Sequence, residues 1–167
     1  YLNQLVSLSL VRFLSKIGLS PSIKWPNDIF VGGKKIGGIL IENQLSQHQI
    51  KSSIIGIGLN INQQVFEGFT ATSTFLETGV YRNPKDLLYG FIDVYNKTWR
   101  NYSEPSALKI KEEYAKFLYL INEPCQFEDK DGVFDGKIVE VLDSGLLVVE
   151  RNGVNVHYNS KEIVFKL

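Results

Sequence analysis

Apolar residues recur at helical spacing from the start of the chain. Val6, Leu10, Phe13, Leu14 and Ile17 fall on one face, and Leu2 and Leu5 begin the apolar run. Gly18 offers a left-handed stop and Pro21 prevents the helix from resuming. Such a helix needs a sheet or another helix to cover it. The period then changes to two. Ile23 to Trp25, Asp28 to Val31 with Lys34 to Glu42, and Ser52 to Asn62 read as strands, with Gly32-Gly33 as a two-residue hairpin turn. Residues 63–83 read as a loop with one helical turn near Thr74 to Glu77.

Asn83-Pro84 supplies an N-cap and a first-turn proline. Behind it, Leu87, Leu88, Phe91, Val94, Tyr95, Thr98 and Trp99 form a stripe. Asp86 at its front and Lys97 and Arg100 at its back suit the helix dipole. A further helix is expected from about Pro105 to Leu120. Beyond Pro124, the turns Asp131-Gly132, Asp143-Ser144-Gly145 and Asn152-Gly153 separate short strands carrying Val139, Val141, Leu147, Val149, Val154 and Val156. That spacing predicts a small antiparallel barrel. The pattern therefore predicts an α+β protein: a mixed sheet with helices over 1–121, then a small β-barrel over 122–167 that packs on it.

Three motifs carry candidate chemistry. In Lys24-Trp25-Pro26-Asn27-Asp28, the proline ends a strand and leaves Asn27 and Asp28 at its tip, facing a ligand or capping a turn. In Gly32-Gly33-Lys34-Lys35-Ile36-Gly37-Gly38-Ile39-Leu40-Ile41-Glu42, adjacent glycines weaken a strand unless a ligand needs bare backbone. Simple alternation places Lys35 on the face of Gly37, Ile39 and Ile41, where its ammonium can meet a carboxylate or phosphate; the alternative is an exposed hairpin lysine. In Ile54 to Asn62, one face carries Ile55, Ile57, Leu59 and Ile61, which reads as core. The other carries Gly56, Gly58, Asn60 and Asn62, suited to a flat ligand with amides at its polar edge. A close contact between sheet and helix would explain the same glycines.

Composition narrows the classes. The 167 residues are 44% hydrophobic, enough for one sizeable core. Eighteen basic and eighteen acidic side chains cancel, giving no electrostatic reason to expect nucleic acid or a membrane surface. No apolar run approaches the roughly 20 residues of a membrane span. The single cysteine, Cys125, fits a packing role and a reducing cytosol. His48 in a polar hairpin tip reads as solvated and His157 as structural, so no metal site of soft ligands is expected.

At the three motifs the sequence resembles the biotin protein ligases, in motif order and in spacing. The resemblance implies a catalytic domain related to class II aminoacyl-tRNA synthetases followed by an SH3-like barrel. It implies an enzyme that joins biotin to ATP, with Mg2+, giving biotinyl-5'-AMP and pyrophosphate. The biotinyl group then passes to a lysine of a biotin carboxyl carrier protein domain. Lys35 matches the lysine that meets the biotin carboxylate and acyl-phosphate. Gly37, Gly38, Ile39, Gly56 and Gly58 match the floor under biotin and adenylate, Asn60 an adenylate-side amide, and Lys24, Asn27 and Asp28 the polar motif. Asp28 would orient either Mg2+ or the incoming lysine; Lys35 and Asp28 are the catalytic candidates.

The family's Gly- and Arg-rich loop and its Ser/Thr- and Gln-bearing biotin segment are not matched. With Tyr1 at the start and no Met anywhere, the expectation is the C-terminal two-thirds of such a ligase, inactive alone. Leu5, Leu10 and Phe13 would then be partly uncovered. A ligase for another acid such as lipoate, and a catalytically silent module on the same fold, are the alternatives. A homodimer is left open.

Overall fold

The computed structural model describes residues 1–47, 49–68, 70–102 and 107–166. Two compact units result, Tyr1–Phe117 and Leu118–Leu167.

In the first unit, helix α1 (Leu2–Lys16) is the central element, with α3 (Pro84–Tyr102), α4 (Ala107–Lys116) and strands of the sheet packed against it. The stripe understated its burial. Every residue from Gln4 to Val11 is buried, including Ser7 and Ser9. Both serines are satisfied within their own helix: Ser9 Oγ donates to the Leu5 carbonyl at 2.7 Å and Ser7 Oγ to Asn3 Oδ1 at 3.0 Å. Serine bonded in this way is admissible in a core. Nor are Leu5, Leu10 and Phe13 uncovered; they are 0, 1 and 3% exposed. Gly18 follows the helix in the left-handed region (φ 94°), as its place after Ile17 requires.

Strands β1 (Pro21–Lys24), β2 (Asp28–Val31), β3 (Lys34–Ser46) and β4 (Gln49–Leu59) form an antiparallel sheet in the order β1-β2-β3-β4. A parallel bridge from Lys35 to Ala71 adds a segment of mixed pairing. Gly32 and Gly33 both have positive φ, 56° and 75°, which fits the tight turn between β2 and β3. The β3–β4 hairpin is longer than the pattern suggested, reaching Ser46, while β4 stops at Leu59 instead of Asn62. Ile55, Ile57 and Leu59, expected as core, are only half-buried. With α1 and α3 they border an apolar groove of about 390 Å³.

The segment after β4 contains α2 (Thr74–Thr78), where Ser73 Oγ accepts the Leu76 N–H at 3.1 Å. Asn83 caps α3 as expected, its Oδ1 accepting the Lys85 N–H at 2.9 Å. Leu87 and Thr98 are buried on α3, but Leu88 and Trp99 project to solvent, so the buried stripe is narrower than predicted. The helix α4 stops at Lys116, short of Leu120; its expected start near Pro105 lies outside the described residues, as does His48.

The second unit is a five-stranded antiparallel sheet, β5 (Pro124–Asp129), β6 (Gly132–Val141), β7 (Leu147–Arg151), β8 (Val154–Tyr158) and β9 (Val164–Lys166), in the order β8-β7-β6-β5-β9. Phe127, Ile138, Leu147 and Val149 form its core. Cys125 is half-buried and unbridged, and burial pushes its thiol up, consistent with packing. His157, expected to be structural, is exposed on β8. Asp129 organises one side of this sheet. It accepts from the Asp131 N–H at 2.8 Å and the Tyr158 hydroxyl at 3.0 Å, and pairs with Arg151 at 3.1 Å. Arg151 in turn stacks on Phe134, 4.2 Å from the ring centroid.

Two stability predictions follow from this unit. At Gly136 an added Cβ would lie 2.9 Å from Val149 Cγ1 and 3.0 Å from the Glu150 carbonyl oxygen. Gly136→Ala is therefore expected to destabilise the unit by about 1–3 kcal/mol in urea unfolding. An unchanged midpoint would show that the sheet relaxes freely there. For Asp129, desolvation pushes the carboxyl up, but the Asp131 N–H, Tyr158 and Arg151 outweigh it and hold the carboxyl below its ordinary value. A depressed folded value stabilises the fold above the unfolded value, about pH 4, and that contribution is lost as pH falls through the folded value. Asp129→Asn should flatten this acid limb in thermal melts taken from pH 6 to pH 2.

Candidate active site

The site begins with a break in strand alternation. Ile29 pairs with Gly37, but Phe30 pairs with Lys35, so Ile36 is an extra residue in β3. A β-bulge of this kind re-aims the side chains on one side of it. Lys35 is consequently not on the face of Gly37, Ile39 and Ile41, as simple alternation had it. Its Cε and Nζ lie 3.6 Å from the position a Gly38 Cβ would occupy.

Cross-strand pairing then builds a row across all four strands. Lys24 pairs with Asp28, Asp28 with Gly38, and Gly38 with Gly58. Lys35 joins this row through an ion pair, Nζ to Asp28 Oδ1 at 2.5 Å. Both side chains are partly exposed, 46 and 27%, so the pair adds little to stability, about 1 kcal/mol or less. Its consequence is geometric: the ammonium is held over the bare strands. Lys24 stands behind it, its Nζ 5.0 Å from the Phe30 ring centroid. Burial holds the Lys24 ammonium below its ordinary value; Asp28 opposes that shift and Lys35 adds to it.

A cleft of about 730 Å³ opens in front of this row, lined by Lys35, Gly37, Gly38, Gly58, Leu59, Asn60, Gln63, Thr70 and Ala71. The loop after β4 forms its second wall. Lys35 anchors that loop through its backbone, donating to the Thr70 carbonyl at 3.3 Å and accepting the Thr72 N–H at 2.9 Å. The motif residues therefore converge, but not all face the cleft. Asn27 is spent on the scaffold: its Nδ2 donates to the Ile39 carbonyl at 2.7 Å, and its own carbonyl accepts the Ile39 N–H at 2.9 Å. The Ile39 side chain is buried in the core. Asn62, read as part of the polar edge, instead clasps residue Arg82, donating to its carbonyl at 2.8 Å and accepting its N–H at 3.0 Å.

The glycines divide by cause. A Cβ on Gly37 would meet the Gly58 carbonyl oxygen at 2.6 Å, so this glycine is required by packing. One on Gly58 meets nothing within 4 Å and points into open space. Gly56 is exposed and makes ordinary contacts with Leu40. Gln63, Thr70 and Ala71 were not anticipated; the amide run Asn60-Ile61-Asn62-Gln63-Gln64 was the available signal. Among the described residues no group of three or more His, Cys, Asp and Glu side chains is placed to hold a metal.

Comparison with known proteins agrees with this geometry. The model of the Biotin/lipoate A/B protein ligase family matches residues 4–60, which include α1 and the three motifs. The bifunctional ligase/repressor BirA of Bacillus subtilis is 30% identical over 166 residues, covering 95% of this chain and 51% of BirA. The apo biotin protein ligase of Aquifex aeolicus superposes with a TM-score of 0.79 at 25% identity, covering 99% of this chain and 74% of that one. Over nearly its whole length the chain is similar to biotin protein ligases. The same Aquifex ligase has also been solved with biotin and ATP; that complex matches with a TM-score of 0.78 at 25% identity, covering 99% of this chain and 70% of that one. The fold is accordingly a class II synthetase-like catalytic unit plus an SH3-like unit. The chain spans about half the length of BirA.

The two kinds of glycine make a direct prediction. Gly37→Ala should lower the unfolding midpoint of the first unit, by about 1–3 kcal/mol, whereas Gly58→Ala should leave it within about 0.5 kcal/mol. Equal effects in thermal or urea melts would contradict the assignment of faces.

Proposed function

We propose that this chain supplies the adenylate-forming surface of a biotin protein ligase. A biotin carboxylate oxygen attacks the α-phosphorus of ATP, pyrophosphate leaves, and biotinyl-5'-AMP remains in the cleft. The amine of a lysine on a biotin carboxyl carrier domain then attacks the acyl carbon and AMP leaves. The observation that carries the reading is the Lys35 ammonium, held by Asp28 beside a glycine floor that leaves the Gly58 side open.

The physics suits both steps. A carboxylate and a triphosphate repel each other until a cation stands between them, and Lys35 is placed to do so. Negative charge grows on phosphoryl oxygens in the first step and on the acyl oxygen in the second. A preorganised cation stabilises that charge without reorganising. Bare strands allow a flat ligand to lie against backbone N–H and C=O groups. The ligands solved with the Aquifex relative, biotin and ATP, support this choice.

Mg2+ belongs to the same proposal. It commonly binds through one or two carboxylates plus substrate phosphates. Asp28 fits as that carboxylate: Oδ1 pairs with Lys35, and the side chain is partly exposed. When bound, the ion would neutralise phosphate charge. The expected setting is a reducing cytosol, where Cys125 stays a free thiol.

The family description covers lipoate as well as biotin ligases, so the test uses both acids. Labelled biotin and labelled lipoate are each titrated with and without ATP, followed by ATP–pyrophosphate exchange and blotting for transfer to a carrier domain. ATP-dependent retention of biotin supports the reading, and retention of lipoate alone would replace it. Lys35→Met is expected to reduce pyrophosphate exchange on the order of 100-fold. Circular dichroism should be unchanged, because a half-exposed lysine contributes little to folding. Exchange at the wild-type rate would remove Lys35 from the chemistry.

A further inference from the structure

We propose that Arg82 is a positioning residue for the cleft, its guanidinium fixing the outer end of the wall built from residues 60–63 and 70–78. The inference rests on the nucleotide-binding reading above and concerns what holds that wall in place. Arg82 lies outside the residues 4–60 that the family model matches, and none of the three motifs includes it.

The wall is one hydrogen-bonded body. Thr74, fully buried, donates its N–H to the Asn60 carbonyl at 3.0 Å and its hydroxyl to the Ile61 carbonyl at 2.8 Å. The Phe75 N–H reaches the same Ile61 carbonyl at 2.8 Å, and the Ser73 hydroxyl donates to the Gln63 carbonyl at 2.6 Å. Parting α2 from the exit of β4 would strip these main-chain groups of their partners, so the two segments move together. At its inner end the body is tied to the sheet. Lys35 bonds Thr70 and Thr72 through its backbone, and the Asn60 N–H donates to the Ile36 carbonyl at 2.8 Å.

The outer end meets Arg82. Its Nη1 donates to Thr78 Oγ1 at 2.5 Å, in the last turn of α2, and to the Val80 carbonyl at 3.2 Å. Nη2 donates to the Ile17 carbonyl at 3.3 Å, just beyond α1. The Thr78 hydroxyl gives its own proton to the Thr74 carbonyl at 2.6 Å, so it faces the guanidinium as an acceptor. Asn62 then grips the Arg82 backbone from the cleft side, through both its amide oxygen and its amide nitrogen. One half-buried side chain thereby joins α1, α2 and the exit of β4.

Arginine suits this junction. Carbonyls at a helix C-terminus lack helical partners and carry partial negative charge, which favours a cation. A planar guanidinium can meet several such oxygens at once in a fixed fork, whereas an ammonium is a single point of charge. The anchor is also rigid, because α1 is buried from Gln4 to Val11. The wall is thus held at one end by the backbone of Lys35 and at the other by the central helix. Without the guanidinium it would hinge on the sheet ties alone, and small displacements of groups that surround a ligand are costly.

The test compares wild type, Arg82→Met, Asn62→Ala and the double variant in the full chain, titrated separately with ATP and with biotin. Methionine keeps an apolar stem and removes the donors. Arg82→Met should weaken ATP about tenfold. Biotin affinity should stay within about twofold, because the glycine floor belongs to the sheet and not to the wall. Asn62→Ala should weaken ATP in the wild-type background but by less than about twofold once the guanidinium is gone, since what Asn62 grips is the Arg82 backbone. Hydrogen exchange without ligand should be about tenfold faster at the Asn60, Thr74 and Phe75 amides of Arg82→Met and unchanged at the Ile39 amide. Wild-type ATP affinity in Arg82→Met, or an equal Asn62→Ala penalty in both backgrounds, would overturn the assignment. Parallel loss of ATP and biotin would reduce Arg82 to a general role in folding. Unchanged exchange at the wall amides would refute the tie itself, whether or not nucleotide binds. If the wild type binds no ATP while the wall loosens as expected, the nucleotide reading falls, and this inference with it.

Discussion

The extra residue at Ile36 is the constraint on which the site depends. Regular pairing between β2 and β3 would send Lys35 to the side of Gly37, where the sheet is buried against helices. One additional residue returns it to the side of Gly38 and Gly58, within reach of Asp28. The bulge is itself held from both sides. The Ile36 side chain is fully buried, and its carbonyl accepts the Asn60 N–H at 2.8 Å. A single irregularity thus couples the core, the cation and the far wall of the cleft.

Amides do most of the scaffolding around that bulge. Asn27 ties the turn after β1 to β3, Asn60 ties the end of β4 to the loop at Thr72, and Asn62 ties the same region to the entry of α3. Each makes the bond from a short side chain to a backbone group that would otherwise need water or a strand partner. The result is a cleft whose floor is backbone and whose walls are held by backbone-directed side chains. That rigidity favours recognition by shape and by fixed donors and acceptors, with charge concentrated at Lys35, Asp28 and Lys24.

The second unit is built on a different economy. Its core is aromatic, with Phe127 packed against Phe134 and Phe165 at centroid distances of 5.7 and 5.3 Å. Its charge cluster around Asp129 is complete in itself, each partner supplied from its own strands and turns. Small sheets have limited apolar area to bury, so a satisfied polar cluster and tight glycine packing at Gly136 carry proportionally more weight there.

Much of the architecture was already determined by local pattern. Helical periodicity located α1 and α3, Asn83-Pro84 marked the α3 cap, and Gly32-Gly33 marked the hairpin, because each is a short-range steric or hydrogen-bonding preference. The order and spacing of the three motifs likewise carried the resemblance to biotin protein ligases before any coordinates. What the tertiary structure alone decided is orientation. The face of Lys35 depended on a bulge that no local preference announces, and parity errors of one residue invert a strand. Asn27, read as facing a ligand or capping a turn, and Asn62, read as part of a ligand's polar edge, were assigned to the scaffold only by backbone partners 12 and 20 residues away. Ser7 and Ser9 lie in a run from Gln4 to Val11 in which every residue is buried, and their hydroxyls are satisfied within α1. Gly37 and Gly58 look alike in sequence, yet one is bare because a carbonyl crowds it and the other because the cleft lies open above it. Sequence carries propensities along the chain; which atom finally meets which is set by long-range packing, and the site consists of those meetings.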